Sequence, residues 1–373
     1  MRCSLYSGRQ KQAKVEVKRK AREFIKTYQS TVLRSYTYND LNKMTDGFKE
    51  KLGKGGFGSV FKGTFRDGTP IAVKMLKNYV GDHDRSDFLN EITTISMIRH
   101  FNIIRLLGFS WDGSNQALVY EFMSNGSVGD LLGGSIGPIR PRKLLEIATG
   151  IAHGIEYLHI GCDVRILHLD IKPQNILLDH NFSPKIFDFG LAMTYSRNRS
   201  AITMPGGAKG TIGYIAPEIF MRNFGKPSDK SDVYSFGMLL LEMAGAKDRP
   251  IDLQQEEGSS SNDYFPNWVY EKLLIMENEK ENIVELDEEE EEDMVIRKKI
   301  AMVGLWCIQI NPRHRPSMTR VVEMLLANME AIEMPPKPLS FFSSGQEPLE
   351  YEITSFQSED SSLPLTSIEI NQS

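Results

Sequence analysis

Residues 168–175, HLDIKPQN, put a carboxylate, an amine and a carboxamide on one short loop, and the apolar run ILLD behind them reads as the strand that anchors it. Each residue type suits one part of phosphoryl transfer. Asp170 is a base at neutral pH and can take the proton of an attacking hydroxyl. Lys172 is a mobile point charge that can neutralise the transferring group, and the amide oxygen of Asn175 suits a hard cation such as Mg2+. By itself the octapeptide also fits a polar turn between a helix and a buried strand. Its surroundings favour the chemistry: a glycine loop, a lysine strand and a glutamate helix lie upstream, and DFG and APE lie downstream.

Upstream, LGKGGFGSVFKG at 52–63 spaces Gly53, Gly55 and Gly58 as G-x-G-x-x-G. Dinucleotide-binding folds share that spacing, but there the glycines open a helix. Here a β-rich run follows, then an Asp67-Gly68 turn, then the strand IAVKML. A strand-turn-strand glycine loop lets backbone amides approach the phosphates of ATP, with Phe57 at its tip excluding water. A dinucleotide-dependent oxidoreductase is therefore set aside. Lys74 stands alone in its apolar strand, where a lysine is ordinarily an edge charge or snorkels outward. The helical stretch FLNEITTISMIRH after it offers Glu91 as a partner. Two more strands are expected in NIIRLLGF and ALVYEFM, then a turn at Ser124-Asn125-Gly126.

Downstream, residues 142–159 have helical periodicity, with Leu145, Ala148, Ile151, Ala152, Ile155 and Leu158 expected on the core face. KIFDFGLA places Asp188 thirteen residues after Asn175. Residues 191–213 lack hydrophobic periodicity and read as a mobile loop closed by GTIGYIAPE. The acidic run at 287–293 is expected to be a solvated loop, because its charges repel. The chain from Met334 is proline- and serine-rich and is expected to be disordered.

In this order the motifs resemble the protein kinase catalytic domain over residues 36–338. More narrowly they resemble plant receptor-like kinases of the leaf-rust-resistance type, on HGIEYLHIGCD, ILHLDIKPQNILLD, DVYSFGMLLLEM, YFPNWVYEKL, LWCIQINPRHRPSM and MPPKP. The resemblance implies an α+β, two-lobed kinase fold at 35–330, with a small β-rich N-lobe over about 48–123 and a larger, mainly helical C-lobe over about 124–330. It implies ATP and Mg2+ as cofactors. Leu52, Gly53, Gly55, Gly58, Val60, Ala72 and Lys74 would surround the nucleotide, with adenine bonded to backbone near Glu121 and Met123 behind a gatekeeper at Tyr120. Glu91 would aim Lys74 at the phosphates, Asp170 would be the base beside Lys172, and Asn175 and Asp188 would hold Mg2+. Glu218 is expected to pair with Arg315, and Asp232 to hold the backbone of the catalytic loop.

Lys172 and GTIGYIAPE resemble the serine/threonine form rather than the tyrosine form. Protein substrates, a receptor complex or dimer, and plant defence signalling are implied by the same resemblance. Leu169 stands where most kinases have arginine, although the family commonly has an aromatic there. Phosphorylation of Ser200, Thr203 or Thr211 is therefore not expected to be a strict on-switch, since the phosphate lacks its guanidinium partner. Phe187, bulkier than the residue usual before DFG, joins Leu169 in prompting the alternative of a pseudokinase scaffold.

Residues 1–34 carry ten Lys/Arg against two Glu, although the whole chain has a formal net charge of -5. The net charge argues against a nucleic-acid partner. The basic start fits a solvated arm or a segment on an anionic membrane surface, where Cys3 could carry a palmitoyl chain. Three widely spaced cysteines suit a reducing cytosol. With no apolar run long enough to cross a bilayer and no signal peptide, a cytoplasmic place is expected, at the inner face of the plasma membrane if the basic start binds there. The family's members carry an extracellular region and a membrane span ahead of the kinase, so the chain is expected to be a cytoplasmic relative or a truncated gene model.

Overall fold

A computed structural model describes residues 33–55, 58–76, 82–112, 115–196, 210–221, 226–245, 265–278 and 287–338. Phe57, Ser200, Thr203, most of the basic start and the chain beyond Pro338 lie outside the described residues. The chain divides into two units. One runs to Ser124 and includes Asp188–Ala192; the other comprises Asn125–Phe187 and the chain from Met193.

The first unit contains strand β1 (Arg34–Ser35), helix α1 (Tyr38–Met44), strands β2 (Lys51–Gly55), β3 (Gly58–Thr64) and β4 (Pro70–Leu76), helix α2 (Asp82–Ser96), and strands β5 (Leu106–Asp112) and β6 (Asn115–Glu121). The six strands form one sheet in the order β1-β5-β6-β4-β3-β2, antiparallel throughout except that β1 runs parallel to β5. The β3–β4 turn forms as its Asp-Gly pair predicts: Gly68 has φ +87°, and the Asp67 carboxylate accepts the Thr69 amide at 2.9 Å. Alternation along β4 sends Ile71 and Val73 into a buried cluster with Leu41, Ala117 and Val119. Leu41 comes from α1, which begins in a capping box between Thr37 and Asp40. The lead-in segment is thus part of this core, with Tyr36, Met44 and Phe48 packed against it.

The second unit is mainly helical. It contains α3 (Val128–Leu132), α4 (Pro141–Glu156), the short strands β7 (Arg165–Leu167), β8 (Ile176–Leu178), β9 (Pro184–Ile186) and β10 (Met193–Tyr195), then α5 (Pro217–Phe220), α6 (Asp229–Met243), α7 (Phe265–Asn278), α8 (Glu288–Cys307) and α9 (Met318–Leu326). α6 is buried on nearly every side and is the unit's central element. It meets α8 where Gly237 faces Gly304; a Cβ on Gly237 would stand 2.9 Å from the Gly304 carbonyl oxygen. Strands β7 and β10 pair, as do β8 and β9, and the chain from β7 to β9 carries the HLDIKPQN loop.

Three expectations are corrected here. On α4 it is Leu144 and Ile147 that are buried, while Leu145 is only half-buried. The acidic run is not a loop: Asp287 caps α8 through the Glu290 amide, and the glutamates form its first turns. Carboxylates at a helix N-terminus are favoured by the helix dipole, and Arg140 and Arg142 pair with Glu289 and Glu292. The proline-rich stretch also stays in contact as far as Pro338. Trp306 Nε1 donates to Glu333 O at 2.9 Å, Gln309 Nε2 donates to Pro336 O at 3.3 Å, and Lys337 pairs with Glu271 at 2.6 Å.

Candidate active site

In the first unit, the side of β4 opposite the Ile71–Val73 core presents Lys74, which is 4% exposed. Its ammonium donates to both oxygens of Glu91 on α2, each at 3.0 Å, and to Asp188 Oδ1 at 2.9 Å. Tyr120 on β6 donates its phenol hydrogen to Glu91 Oε1 at 2.5 Å. Burial works against the Lys74 charge, but the carboxylates of Asp188 and Glu91 outweigh it and hold the ammonium above its ordinary pKa. Burial likewise raises the Glu91 carboxyl, opposed by Lys74 and assisted by Asp188. The Tyr120 phenol is held well above its usual value, first by burial and then by the Glu91 charge. One ammonium between two carboxylates leaves an excess negative charge, which a cation at Asp188 would offset.

The glycine loop lies in β2 and β3, where Gly53 pairs with Val60 and Gly55 with Gly58. A Cβ on Gly58 would stand 2.0 Å from the Met75 carbonyl oxygen, so no side chain fits there. Ala72 and Val60 are half-buried, Leu52 is exposed, and Met123 follows β6. Glu121 is tied to Arg105, donating its amide to Arg105 O at 3.2 Å and accepting the Arg105 amide on Oε1 at 2.9 Å.

In the second unit, Asp170 is 5% exposed. Its Oδ1 accepts the Thr211 hydroxyl at 2.6 Å, while Oδ2 accepts from Asn175 Nδ2 at 2.8 Å and Lys172 Nζ at 2.9 Å. Lys172 also donates to Thr211 Oγ1 at 2.8 Å. The amide nitrogen of Asn175 is committed to Asp170, so its carbonyl oxygen is the end left to face a cation. The loop is held from beneath by Asp232 on α6. That carboxylate accepts the His168 amide at 2.9 Å and the Leu169 amide at 2.8 Å, and its Oδ2 lies 2.9 Å from His159 Nε2. These bonds keep Leu169 at φ +62°, a strained value for leucine. His168 Nε2 faces the Phe187 carbonyl at 3.0 Å and carries the proton, which leaves Nδ1 to accept the Asp170 amide at 3.3 Å. Leu169 itself packs with Leu167 and Tyr195, against Met193 and Ile219.

Glu218 and Arg315 form a fully buried bidentate pair at 2.7 and 2.8 Å. Ser231 donates to the same carboxylate at 2.7 Å, and the guanidinium lies 4.9 Å from the Tyr234 ring centre.

The structure thus brings Lys74, Glu91, Tyr120 and Asp188 into contact in the first unit, and Asp170, Lys172 and Asn175 into contact in the second. The hydroxyl between Asp170 and Lys172 was not foreseen: Thr211 was expected only as a site of phosphorylation. A family model described as protein tyrosine and serine/threonine kinase matches residues 47–325. The chain belongs to this kinase family. Its β-sheet unit and helical unit are those of the kinase fold. Among relatives, the chain is 49% identical over 348 residues to the rust resistance kinase Lr10 of Triticum aestivum, covering 92% of this chain and 53% of that protein. It is 46% identical over 330 residues to the leaf rust 10 disease-resistance locus receptor-like protein kinase-like 2.1 of Arabidopsis thaliana, covering 88% of this chain and 50% of that protein. It is likewise 46% identical over 308 residues to the Arabidopsis thaliana protein suppressor of npr1-1 constitutive 4, covering 82% of this chain and 27% of that protein. The kinase chain spans about half the length of the first two relatives. Among the described residues, no helix is long and apolar enough to cross a membrane.

Proposed function

We infer that this chain transfers the γ-phosphoryl group of ATP to serine and threonine hydroxyls of proteins. The observation that carries the reading is the setting of Asp170, a buried carboxylate with Thr211 on one oxygen and Lys172 and Asn175 on the other. In the transfer, the acceptor oxygen forms a bond to the γ-phosphorus and the bond to the β-phosphate oxygen breaks, releasing ADP. Asp170 takes the acceptor's proton, and Lys172 offsets charge on the transferring group. Lys74, fixed by Glu91 and Tyr120, engages the remaining phosphates, with Gly53, Gly55 and Gly58 admitting them to the backbone. Leu52, Val60, Ala72, Glu121 and Met123 would hold the base. Asp188 and the Asn175 carbonyl are hard oxygen donors that fit Mg2+, which when bound withdraws charge from the phosphate oxygens.

The domain limits read as kinase over 35–330, with a basic segment before it and a tail after it. The relatives are named as resistance and receptor-like kinases, which supports a role in plant defence signalling, in a receptor complex or dimer. Residues 1–34 would place the chain at an anionic inner membrane surface. The rival, a scaffold without turnover, rests on Leu169 and Phe187. Against it, every group named above is present.

Incubation with γ-labelled ATP and Mg2+ and a generic basic protein, followed by acid hydrolysis, tests the class. Label in phosphoserine and phosphothreonine is expected. Label confined to phosphotyrosine would contradict the serine/threonine assignment.

A further inference from the structure

The segment Asp188–Ala192 is grouped with the first unit although the chain on both sides of it belongs to the second. Something must hold those five residues where they are. One tie is the Lys74 ammonium on Asp188 Oδ1 at 2.9 Å. A second comes from Asn90, the residue just before Glu91 on α2. Its Nδ2 lies 2.7 Å from Ala192 O, 3.1 Å from Gly190 O and 3.4 Å from Phe189 O. Three carbonyls around one atom fix the orientation of the amide, since only the NH2 end can face them. Its two hydrogens serve Ala192 and Gly190, and Phe189 shares the second more weakly. The turn these carbonyls belong to is a single 3-10 turn (Phe189–Leu191), closed by the Ala192 amide on Phe189 O at 3.1 Å. So short a helix has little stability of its own. Asp188, at its start, has φ +66°, a conformation that surrounding contacts must hold in place.

We propose that Asn90 is a positioning residue, which fixes the Asp188–Ala192 turn to α2 so that a shift of the helix and a shift of Asp188 are one event. Residues 90 and 91 are adjacent on one helix. Glu91 reaches Asp188 through Lys74, and Asn90 reaches the backbone just beyond it. Displacing α2 therefore breaks both ties together, whereas either tie alone would let the turn pivot. The inference deepens the proposed transferase reading in its kinetic part only; its structural part stands on contacts alone.

Hydrogen exchange on the whole chain tests the structural part. Asn90→Leu removes the donor, and Asn90→Asp keeps the shape but turns a charge toward three carbonyls. In both, exchange at the amides of Asp188–Ala192 is expected to rise about tenfold or more, while β3 and β4 keep their protection. Asn90→Gln, which retains the donor on a longer arm, keeps more of that protection and serves if either replacement fails to fold. In the transfer assay, Asn90→Leu is expected to lose roughly 10²-fold in kcat, a larger change than in KM for ATP. Unchanged exchange at 188–192, or an increase spread evenly over the first unit, overturns the proposal. If the wild-type chain transfers no phosphate, the transferase reading fails, yet the exchange pattern still decides whether Asn90 holds the turn.

Discussion

The Thr211 hydroxyl donates to Asp170 Oδ1 at 2.6 Å while accepting from Lys172 at 2.8 Å. It ties GTIGYIAPE to the HLDIKPQN loop and settles which way the carboxylate points. Thr211→Val keeps the shape and removes both bonds, so kcat should fall roughly 10²-fold while the protein stays folded. Thr211→Ser should stay near wild type. Phosphate on Thr211 would set an anion against Asp170, so modification there should silence the chain instead of activating it. Steady-state transfer rates for the three forms check this, and an activating Thr211→Glu would count against it.

The Tyr120 hydroxyl donates to Glu91, a carboxylate that also accepts from the Lys74 ammonium. Tyr120→Phe leaves the ring and removes the bond, exposing the cost of burying that carboxylate. A loss of about 1–3 kcal/mol in urea unfolding is expected. Stability equal to wild type would mean that the bond contributes nothing.

Arg315 and Glu218 are both fully buried, and Arg315 also donates to the carbonyls of Gln309, Lys230 and Ile310. Removing one partner strands a charge. Arg315→Ala is expected to lose about 3–5 kcal/mol, more than replacing both residues with apolar ones of matching volume. Equilibrium unfolding of the single and double variants compares them.

The Cys307 thiol is buried, and burial pushes its pKa up to about 12 against the opposing charges of Arg315 and Lys230. In the unfolded chain a thiol ionises near 8.5, so above that pH the folded form binds more protons than the unfolded one. Its share of the stability is thus present below about pH 8.5 and lost as pH rises toward the folded value, by up to about 1.4 kcal/mol per pH unit. Cys307→Ala should flatten the alkaline limb of a stability-against-pH curve. An identical slope in the variant would contradict the assignment.

Leu41 is fully buried in the first unit's core, yet it precedes the start of the family match at residue 47. Leu41→Ala should cost about 2–5 kcal/mol, as for any large core truncation. Thermal unfolding of the variant against wild type measures it.

The candidate residues could be picked out because the proposed chemistry asks for one residue type at each place in the chain order, and the structure brings Lys74 to Glu91 and Asp188, and Asp170 to Lys172 and Asn175. Lys74, Glu91, Asp170, Lys172, Asn175 and Asp188 could be named before any contact was known. Thr211, Asn90 and the Tyr120 bond to Glu91 were not legible as contacts, since a hydroxyl or an amide in a sequence carries no sign of the distant group it meets. Strand and helix placement followed from periodicity in β4, β6 and α4, although the face of α4 was misjudged by one residue at Leu145. The acidic run was misread because repulsion within it was weighed without the α8 dipole and without Arg140 and Arg142, which lie far away in sequence. The docked stretch was missed for a similar reason: Trp306 and Gln309 hold it by the backbone carbonyls of Glu333 and Pro336, which composition does not reveal.

The most direct measurement pairs nucleotide binding with γ-phosphoryl transfer for wild type, Asp170→Asn and Lys74→Met in the same Mg2+ buffer. Wild type should bind ATP and transfer its phosphoryl group. Asp170→Asn should bind within about threefold of wild type but transfer at least roughly 10³-fold more slowly, since it keeps the fold and loses the base. Lys74→Met should lose transfer with weakened binding. Wild type that binds ATP and transfers nothing, or Asp170→Asn that transfers at the wild-type rate, would contradict the assignment of Asp170 as the base of an active kinase.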